Sequence, residues 1–379
     1  MNLTLNNEQT MLKHGAHEFF KARMPVKQLR ELRDRDDNNG FDLALWREMA
    51  SLGWAGILVP EEHGGAGFGY KGMGQVMEEA GRTLAASPLA STALIAAPLL
   101  LATASATQQA RLLPAIAAGD LLIALAHDEA PRHAPTRIAT KVDKHGQGFV
   151  LNGCKTFVID GHVAEHLIVV ARSSGARDAR EGISLFLVDA KARGVMCTRT
   201  RMVDNRNAAQ ISFDNVELSA DAALGILDAG YGPLEKVLDG ARAALAAEML
   251  GTGTEAFERT VAYLKLRRQF GVVIGSFQAL KHRAALMFCE LELTRSAVLG
   301  ALDALDSGLQ DSAALCSLAK ARACDMLELI SAEAVQLHGG IGMTDAEEIG
   351  FFLKRARVAQ QWLGDASFHR DRYATLLGF

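Results

Sequence analysis

The segment Gly148-Phe149-Val150-Leu151-Asn152-Gly153 carries the first clear sign of β structure in the chain. Its apolar residues end in an Asn-Gly pair, which predicts a short strand closed by a turn. Two strand-like apolar runs follow at 166–171 and 183–188, and an alternating run at 209–213 precedes a second predicted turn at Asp214-Asn215. No helix-length pattern separates these runs, so we expect antiparallel strands that form a small β barrel or sandwich.

Helical periodicity flanks this strand-rich zone on both sides. On the N-terminal side, apolar residues recur at helical spacing in four segments: Glu8–Phe20, Leu43–Leu52, Gly74–Leu84 and Gln108–Ala118. On the C-terminal side, the pattern predicts four helices, at about 233–267, 276–306, 311–338 and 344–375. Several of these helices are apolar on more than one side, which is typical of a bundle.

The order of helices, strands and helices predicts an α+β protein with several domains. We expect an N-terminal all-α domain at 1–119, a middle antiparallel β barrel or sandwich at 120–225, and a C-terminal four-helix bundle at 226–379. A chain of 379 residues is long enough for two or three domains of ordinary size.

Composition narrows the classes of function. A formal net charge of -4 gives no electrostatic reason to expect nucleic acid as a partner. No apolar run reaches the roughly 20 residues of a membrane helix, and no basic segment leads into a hydrophobic one at the N-terminus. The five cysteines form no Cys-x-x-Cys pair, which predicts reduced thiols, a cytoplasmic location and no metal site.

A glycine-rich segment lies between two of the predicted C-terminal helices. It reads Gln336-Leu337-His338-Gly339-Gly340-Ile341-Gly342-Met343-Thr344. Three glycines within four residues allow the backbone to approach a ligand closely. A glycine turn that merely ends a helix explains part of the same pattern, so both interpretations stay open here.

A basic segment joins two other predicted helices. It reads Tyr263-Leu264-Lys265-Leu266-Arg267-Arg268-Gln269-Phe270-Gly271. The arginines offer a fixed fork of donors that suits a pyrophosphate. A solvated basic turn explains the same composition and is the alternative.

Two single residues have both a structural and a functional interpretation. Phe157 follows a predicted strand and is either a core aromatic or a platform for a flat cofactor. Arg242 stands between Ala241 and Ala243, so it is either a surface charge or a buried cation that needs an anion.

Taken together and in this order, these segments resemble the acyl-CoA dehydrogenase family over essentially the whole chain. The N-terminal Leu52-Gly53-Trp54-Ala55-Gly56-Ile57-Leu58-Val59-Pro60-Glu61-Glu62-His63-Gly64-Gly65 and Glu78-Glu79-Ala80-Gly81-Arg82 look like the helical-domain signature of that family. Phe149–Lys155 matches its strand before the flavin, and the Arg267–Gly271 and Gln336–Gly342 segments match its C-terminal motifs. Within the family, the chain looks closest to small subunits of the pimeloyl-CoA dehydrogenase type.

The resemblance implies a fold of helical, β-barrel and helical-bundle domains, usually in a tetramer. It implies FAD bound between the β domain and the bundle, with parts of the site contributed by a neighbouring subunit. The family reaction removes an α proton and a β hydride from an acyl-CoA thioester and yields a trans-2-enoyl-CoA. Electrons usually leave through an electron-transferring flavoprotein.

The resemblance also assigns residues. The implied FAD contacts are Ala126, Phe157, Ile159, Arg267, Gln269, Phe270, Gln278, Gln336, Gly339, Gly340 and Asp365. Arg242 would contact the substrate. Phe157 would flank the isoalloxazine ring, where the family usually has Trp.

The chain departs from the family pattern at the catalytic base. The usual glutamate position is occupied by Leu363, and the alternative glutamate position of some members is occupied by Ala241. Neither side chain accepts a proton. Two flavin-contacting hydroxyls are also absent, at Ala126 and Ile159, but the backbone N–H of Leu363 survives the substitution.

Four explanations follow from these departures. A displaced carboxylate acts as the base, with Asp239 preferred over Asp365 and Glu248. Alternatively, the chain is the base-deficient partner of a second, homologous subunit. The third explanation is a different reaction on an acyl-CoA, such as desulfination. In the fourth, the chain binds FAD for stability only and has no catalytic role.

Overall fold

The computed structural model describes residues 3–379, in which helices precede and follow a β sheet. The N-terminal helices are α1 (Asn7–Arg23), α2 (Val26–Asp34), α3 (Leu43–Ser51), α4 (Gly69–Arg82), α5 (Ala97–Thr103) and α6 (Ala106–Ala117), with a π-helical segment at Leu89–Ala96. Local sequence sets where they begin. Asn6 and Gln9 form a capping box at α1, and the Asp42 carboxylate accepts two backbone N–H groups at α3.

The middle of the chain forms one mixed sheet. Its strands are β1 (Ile123–Ala126), β2 (Lys141–His145), β3 (Gly148–Ile159), β4 (His166–Arg172), β5 (Ile183–Asp189), β6 (Val195–Arg201), β7 (Asn207–Leu218) and β8 (Ala223–Leu224). The order is β6-β7-β3-β2-β4-β5-β8, and β1 pairs with β4. Most pairs are antiparallel as predicted, but β1 and β2 each pair with β4 in the parallel sense.

The two predicted Asn turns are wrong, because both asparagines lie inside long strands. β3 and β7 run straight through Asn152 and Asn215. The Asn152 side-chain oxygen accepts the Asn215 backbone N–H at 2.8 Å, and the register between the strands shifts by one residue beside it. A β-bulge uses the same left-handed tolerance as a turn, and Asn215 has a φ of +48°.

The C-terminal part of the chain is helical apart from a small hairpin. The elements are α7 (Tyr231–Leu266), β9 (Arg268–Gln269), β10 (Val272–Val273), α8 (Gln278–Asp306), α9 (Ser312–His338), α10 (Ile349–Gln361) and α11 (Ala366–Leu376). The predicted long helix at 344–375 is therefore wrong in one respect, since it is two helices separated by a turn at 362–365. The predicted order of helical, β and helical parts is confirmed.

By internal contacts the chain divides into two compact units. One contains the residues up to Glu31 together with Tyr70–Ala85 and Arg242–Phe379. The other contains Leu32–Gly69 and Ala86–Ala241, which includes the sheet. Among the described helices, none combines the length and the apolar character that a bilayer crossing requires.

Candidate functional site

The turn between α10 and α11 has an unusual backbone conformation. Leu363 has a φ of +60° and Gly364 a φ of +105°. A non-glycine residue in the left-handed region costs about 1–2 kcal/mol, so the surrounding structure must impose this conformation. Leu363 is only 3% exposed, so the strained residue lies inside the protein.

Side chains from three helices hold the carbonyl groups of this turn. The His369 ring donates from Nε2 to the Leu363 oxygen at 3.0 Å, and Arg242 Nε lies 3.5 Å from the same oxygen. Lys320 Nζ donates to the Gly364 oxygen at 2.9 Å. The turn is therefore fixed by contacts that are distant in sequence.

Lys320 also closes the C-terminal end of α10. Its ammonium group is fully buried and donates to the Ala359 oxygen at 3.1 Å, one of the carbonyls that a helix end leaves without a helical partner. A cation at a helix C-terminus is favourable because the helix dipole is negative there. Burial lowers the pKa of Lys320.

The backbone N–H of Leu363 has no hydrogen-bond acceptor among residues 3–379. Buried backbone N–H groups are nearly always paired in proteins. A buried, strained residue whose N–H is unused therefore has a donor available for a ligand. This is the backbone group that the sequence singled out at the position of the missing glutamate.

Arg242 is completely buried on α7, which excludes the surface-charge interpretation. Its neighbours Ala241 and Ala243 are also fully buried. The guanidinium lies over the Phe368 ring, 5.6 Å from the centroid, in addition to its approach to the Leu363 oxygen. The structure thus brings Arg242 and Leu363 together.

Glu248 and Asp365, two of the three candidate carboxylates, each contact a group within the fold. Glu248 is buried in an ion pair with Arg355, which donates to Glu248 Oε1 from Nε at 2.9 Å and from Nη2 at 2.7 Å. Asp365 caps α11, where its Oδ1 accepts the Phe368 N–H at 2.8 Å. Asp239 is 6% exposed and precedes Arg242 by three residues on α7, which places both on one side of that helix.

The basic segment after α7 forms a β hairpin of β9 and β10 with a two-residue loop. Phe270 and Gly271 have φ values of +54° and +78°, as a type I′ turn requires. The Phe270 side chain at the tip is 89% exposed, and Arg267, Gln269 and Gln278 are also exposed. These side chains are therefore free of the protein core.

The glycine-rich segment follows α9 directly. Gly339 has a φ of +66°, and an added Cβ at Gly339 or Gly340 would meet no atom within 4 Å. Gln336 is exposed beside them. The Tyr263 ring stacks on the His338 ring at 4.5 Å, which couples the end of α7 to this segment. Gly339 is also the C-cap of α9, and the two exposed glycines leave their backbone accessible to a ligand.

The predicted residues of the sheet lie in the other unit. Ala126 ends β1 and is fully buried, and Ile159 ends β3 and is 9% exposed. Phe157 is half-buried, with a φ of +56°, where β3 shifts register against β7. The Thr156 N–H donates to the Asp128 oxygen at 2.8 Å, so the segment after Ala126 lies beside the bulge that carries Phe157.

A buried cluster that the sequence did not predict supports this part of the sheet. Lys155 is fully buried and donates to Glu129 at 2.7 Å and to the His127 oxygen at 3.0 Å. Burial lowers the pKa of Lys155 to about 8, although Glu129 opposes the shift. His133 pairs with Asp128 at 3.0 Å. The only signal in the sequence was an unusual density of ionisable residues after β1.

Protein stability should depend on pH through His127. Burial lowers the pKa of His127 to about 4; Asp128 opposes this, while His133 and Lys155 reinforce it. In the unfolded chain His127 has a pKa near 6.5, so it binds a proton at a higher pH than in the folded chain. The contribution of neutral His127 to the free energy of unfolding is therefore fully present above pH 6.5 and is lost as the pH falls to 4. We expect the free energy of unfolding to fall by about 3 kcal/mol, because each tenfold change in proton affinity corresponds to about 1.4 kcal/mol.

Chemical denaturation at several pH values measures this dependence. His127→Gln keeps a side chain that can donate to the Pro135 oxygen, which His127 Nε2 contacts at 3.0 Å, but it does not titrate. We expect the variant to lose less stability than the wild type between pH 6.5 and 4. Equal losses in the two proteins would contradict the assignment to His127.

Comparison with known proteins identifies the family. The chain matches the models of the N-terminal domain of acyl-CoA dehydrogenases at 6–120, the middle domain at 128–216 and the C-terminal domain at 228–377. The acyl-CoA dehydrogenase FadE12 of Mycobacterium tuberculosis is 32% identical over 325 residues, which is 83% of each chain. The caffeyl-CoA reductase-Etf complex subunit CarC of Acetobacterium woodii is 28% identical and covers 93% of each chain.

Solved structures agree with this assignment. The Tcur3481-Tcur3483 steroid ACAD has a TM-score of 0.88 at 32% identity and covers 99% of this chain and 98% of its own. Butyryl-CoA dehydrogenase from Megasphaera elsdenii has a TM-score of 0.90 at 24% identity over the full length of both chains. The ChsE4-ChsE5 complex of M. tuberculosis has a TM-score of 0.89 at 24% identity and covers 100% of this chain and 99% of its own.

The fold is therefore that of a flavin-dependent oxidoreductase that acts on acyl-CoA thioesters. The chain belongs to the acyl-CoA dehydrogenase family, and its cofactor is FAD. The narrower resemblance to pimeloyl-CoA dehydrogenase small subunits stays a prediction.

Proposed function

We propose that the chain catalyses α,β-dehydrogenation of an acyl-CoA thioester to a trans-2-enoyl-CoA. The observation that carries this proposal is the unused, buried N–H of Leu363 in a turn held by Arg242 and His369. A preorganised donor of this kind stabilises the negative charge that develops on a thioester oxygen when the α proton leaves. The N–H performs this role even though the Leu363 side chain accepts no proton.

The resemblance to the family assigns FAD contacts to two groups of residues. On the α-helical side these are Arg267, Gln269, Phe270, Gln278, Gln336, Gly339, Gly340 and Asp365. On the sheet they are Ala126, Phe157 and Ile159, which contribute backbone groups and an aromatic face. When bound, FAD accepts the β hydride of the substrate at N5.

Asp239 is our candidate for the acceptor of the α proton. Asp239 is buried on α7, two residues before Ala241, the alternative glutamate position of the family. Its position three residues before Arg242 places it on the side of α7 that faces the substrate in this proposal. Arg242 would contact the same substrate.

A second candidate is a base-deficient subunit of a heteromeric dehydrogenase. The two-chain names of the steroid ACAD and of the ChsE4-ChsE5 complex favour it, and so do the losses of the glutamate at 363 and of the hydroxyls at 126 and 159. In that case a homologous partner supplies the proton acceptor. This chain then contributes the glycine-rich and basic segments to a shared FAD site.

We further propose that the chain works as an oligomer in the cytoplasm. Leu286 and Leu293 lie seven residues apart on one face of α8 and are each more than half exposed, which fits a helix face covered by another subunit. All five cysteines are free thiols, as in a reducing compartment. An electron-transferring flavoprotein is the redox partner that the name of the CarC relative supports.

An anaerobic titration of the purified yellow protein with a panel of acyl-CoA thioesters tests the proposal. We expect bleaching of the flavin absorption by at least one thioester. Bleaching only after co-expression with a glutamate-bearing homologue would assign the chain to a heteromer. Product formation while the flavin stays oxidised would refute dehydrogenation.

A further inference from the structure

We propose that His369 is a positioning residue that keeps the Leu363 N–H directed at the thioester oxygen. The inference rests on the proposed dehydrogenase function. It assigns a role to a residue that no family motif in the sequence pointed to, and it is independent of which carboxylate accepts the proton.

His369 is fully buried and contacts the turn directly. Its Nε2 lies 3.0 Å from the Leu363 oxygen, and a carbonyl oxygen only accepts, so Nε2 carries a proton. Arg242 approaches the same oxygen only to 3.5 Å, at the outer limit of a hydrogen bond. The short bond to the Leu363 carbonyl therefore comes from His369.

The imidazole is itself held from the opposite side. His369 Nδ1 lies 3.4 Å from Ser317 Oγ, and Ser317 is fully buried on α9. Arg372 Nη1 donates to the same hydroxyl oxygen at 2.7 Å and to the Ala313 oxygen at 3.0 Å. The ring is thus connected to α9, a long helix, and moves little relative to it.

His369 and Phe368 also explain why position 364 is glycine. A Cβ on Gly364 would clash with the Phe368 ring and come within 3.0 Å of His369 Nε2. The two rings pack edge to face, with centroids 5.0 Å apart. A side chain at position 364 would therefore displace one of these two rings, so the packing of the rings requires glycine there.

The consequence concerns the peptide group before Leu363. The bond to the Leu363 oxygen fixes ψ of that residue, and the strained φ sets the direction of its N–H. Without His369, the residue relaxes towards the ordinary φ range and the N–H turns away from the ligand. Polarisation of the substrate then falls even if binding of the CoA portion is unchanged.

A chromophoric thioester measures polarisation without turnover. We choose 4-(dimethylamino)cinnamoyl-CoA, whose absorption shifts to longer wavelength when its carbonyl oxygen receives hydrogen bonds. The proteins are the FAD-loaded wild type, with its partner subunit if one co-purifies, and His369→Phe and His369→Gln. His145→Leu, on the exposed end of β2, is the matched control for a histidine far from the turn.

We expect a red shift in the wild type and in His145→Leu. His369→Phe keeps a ring of similar size without the donor, so it should lose most of the shift while its dissociation constant changes less than about threefold. His369→Gln restores a donor and should keep the shift. With a turning-over substrate, flavin reduction in His369→Phe should slow by about tenfold at an unchanged KM.

Three results separate the inference from the function on which it rests. No red shift in the wild type would refute the thioester-polarising site itself. A wild-type shift that survives fully in His369→Phe would overturn the role of His369 alone. If His369→Phe does not fold, the glutamine variant decides, since a folded His369→Gln that binds the probe without the red shift also overturns it.

Discussion

Replacing Asp239 by Asn should slow flavin reduction by a bound acyl-CoA by roughly 10²–10⁴-fold, the range that a general base contributes. The amide has nearly the size of the carboxylate but accepts no proton at neutral pH. Asp239 is buried on α7, three residues before Arg242, so the substitution removes the proton acceptor that we propose for this site. Stopped-flow absorbance under anaerobic conditions measures the rate.

Two matched variants control for other effects of the substitution. Asp311→Asn makes the same chemical change on an exposed residue and should leave the rate as it is. Glu248→Gln changes a second buried carboxylate, which pairs with Arg355, and should lower thermal stability rather than the rate. An Asp239→Asn protein that reduces its flavin at the wild-type rate would remove Asp239 as the base.

The pattern of apolar residues was sufficient for the architecture. Apolar runs and helical spacing are local properties, and they located the strands at 166–172 and 183–189 and the long helices α8 and α9 closely. The turns predicted at Asn152 and Asn215 are wrong because a bulge and a turn share the same backbone requirement. Only the partner strand distinguishes them, and strand pairing is not a local property.

The break between α10 and α11 shows a different limit. Residues 344–375 keep apolar helical spacing throughout, and Gly364 alone is a weak signal for a helix end. The turn exists because Lys320 and His369 hold its carbonyls, and both contacts are made by the folded helices. The backbone N–H donor at position 363 was therefore predictable from the sequence, but the side chains that hold the turn around it were not.

The candidate carboxylates illustrate the same point. The sequence favours Asp239 over Asp365 and Glu248, because Asp239 lies one turn before Ala243 on a long predicted helix. In the structure, Glu248 pairs with Arg355, and Asp365 caps the first turn of α11. The Glu248–Arg355 pair joins residues 107 positions apart, which the local sequence does not reveal.

A second substitution should restore flavin reduction in an Asp239→Asn protein. We expect Leu363→Glu in that background to recover at least about 10²-fold in the rate of flavin reduction, since it places a carboxylate at the usual position of the family base. Glutamate at 363 adopts the same left-handed φ as leucine, so it adds little backbone strain. The buried Arg242 cation beside the turn compensates the new negative charge.

Leu363→Gln in the same background is the control, because it has the shape of the glutamate without its basicity. If glutamate and glutamine give equal rates, the 363 side chain does not face the α carbon of the substrate. If only glutamate recovers the rate, the turn, Arg242 and the flavin are already in working order. The natural chain then differs from a glutamate-bearing dehydrogenase in the location of its proton acceptor and not in the rest of the site.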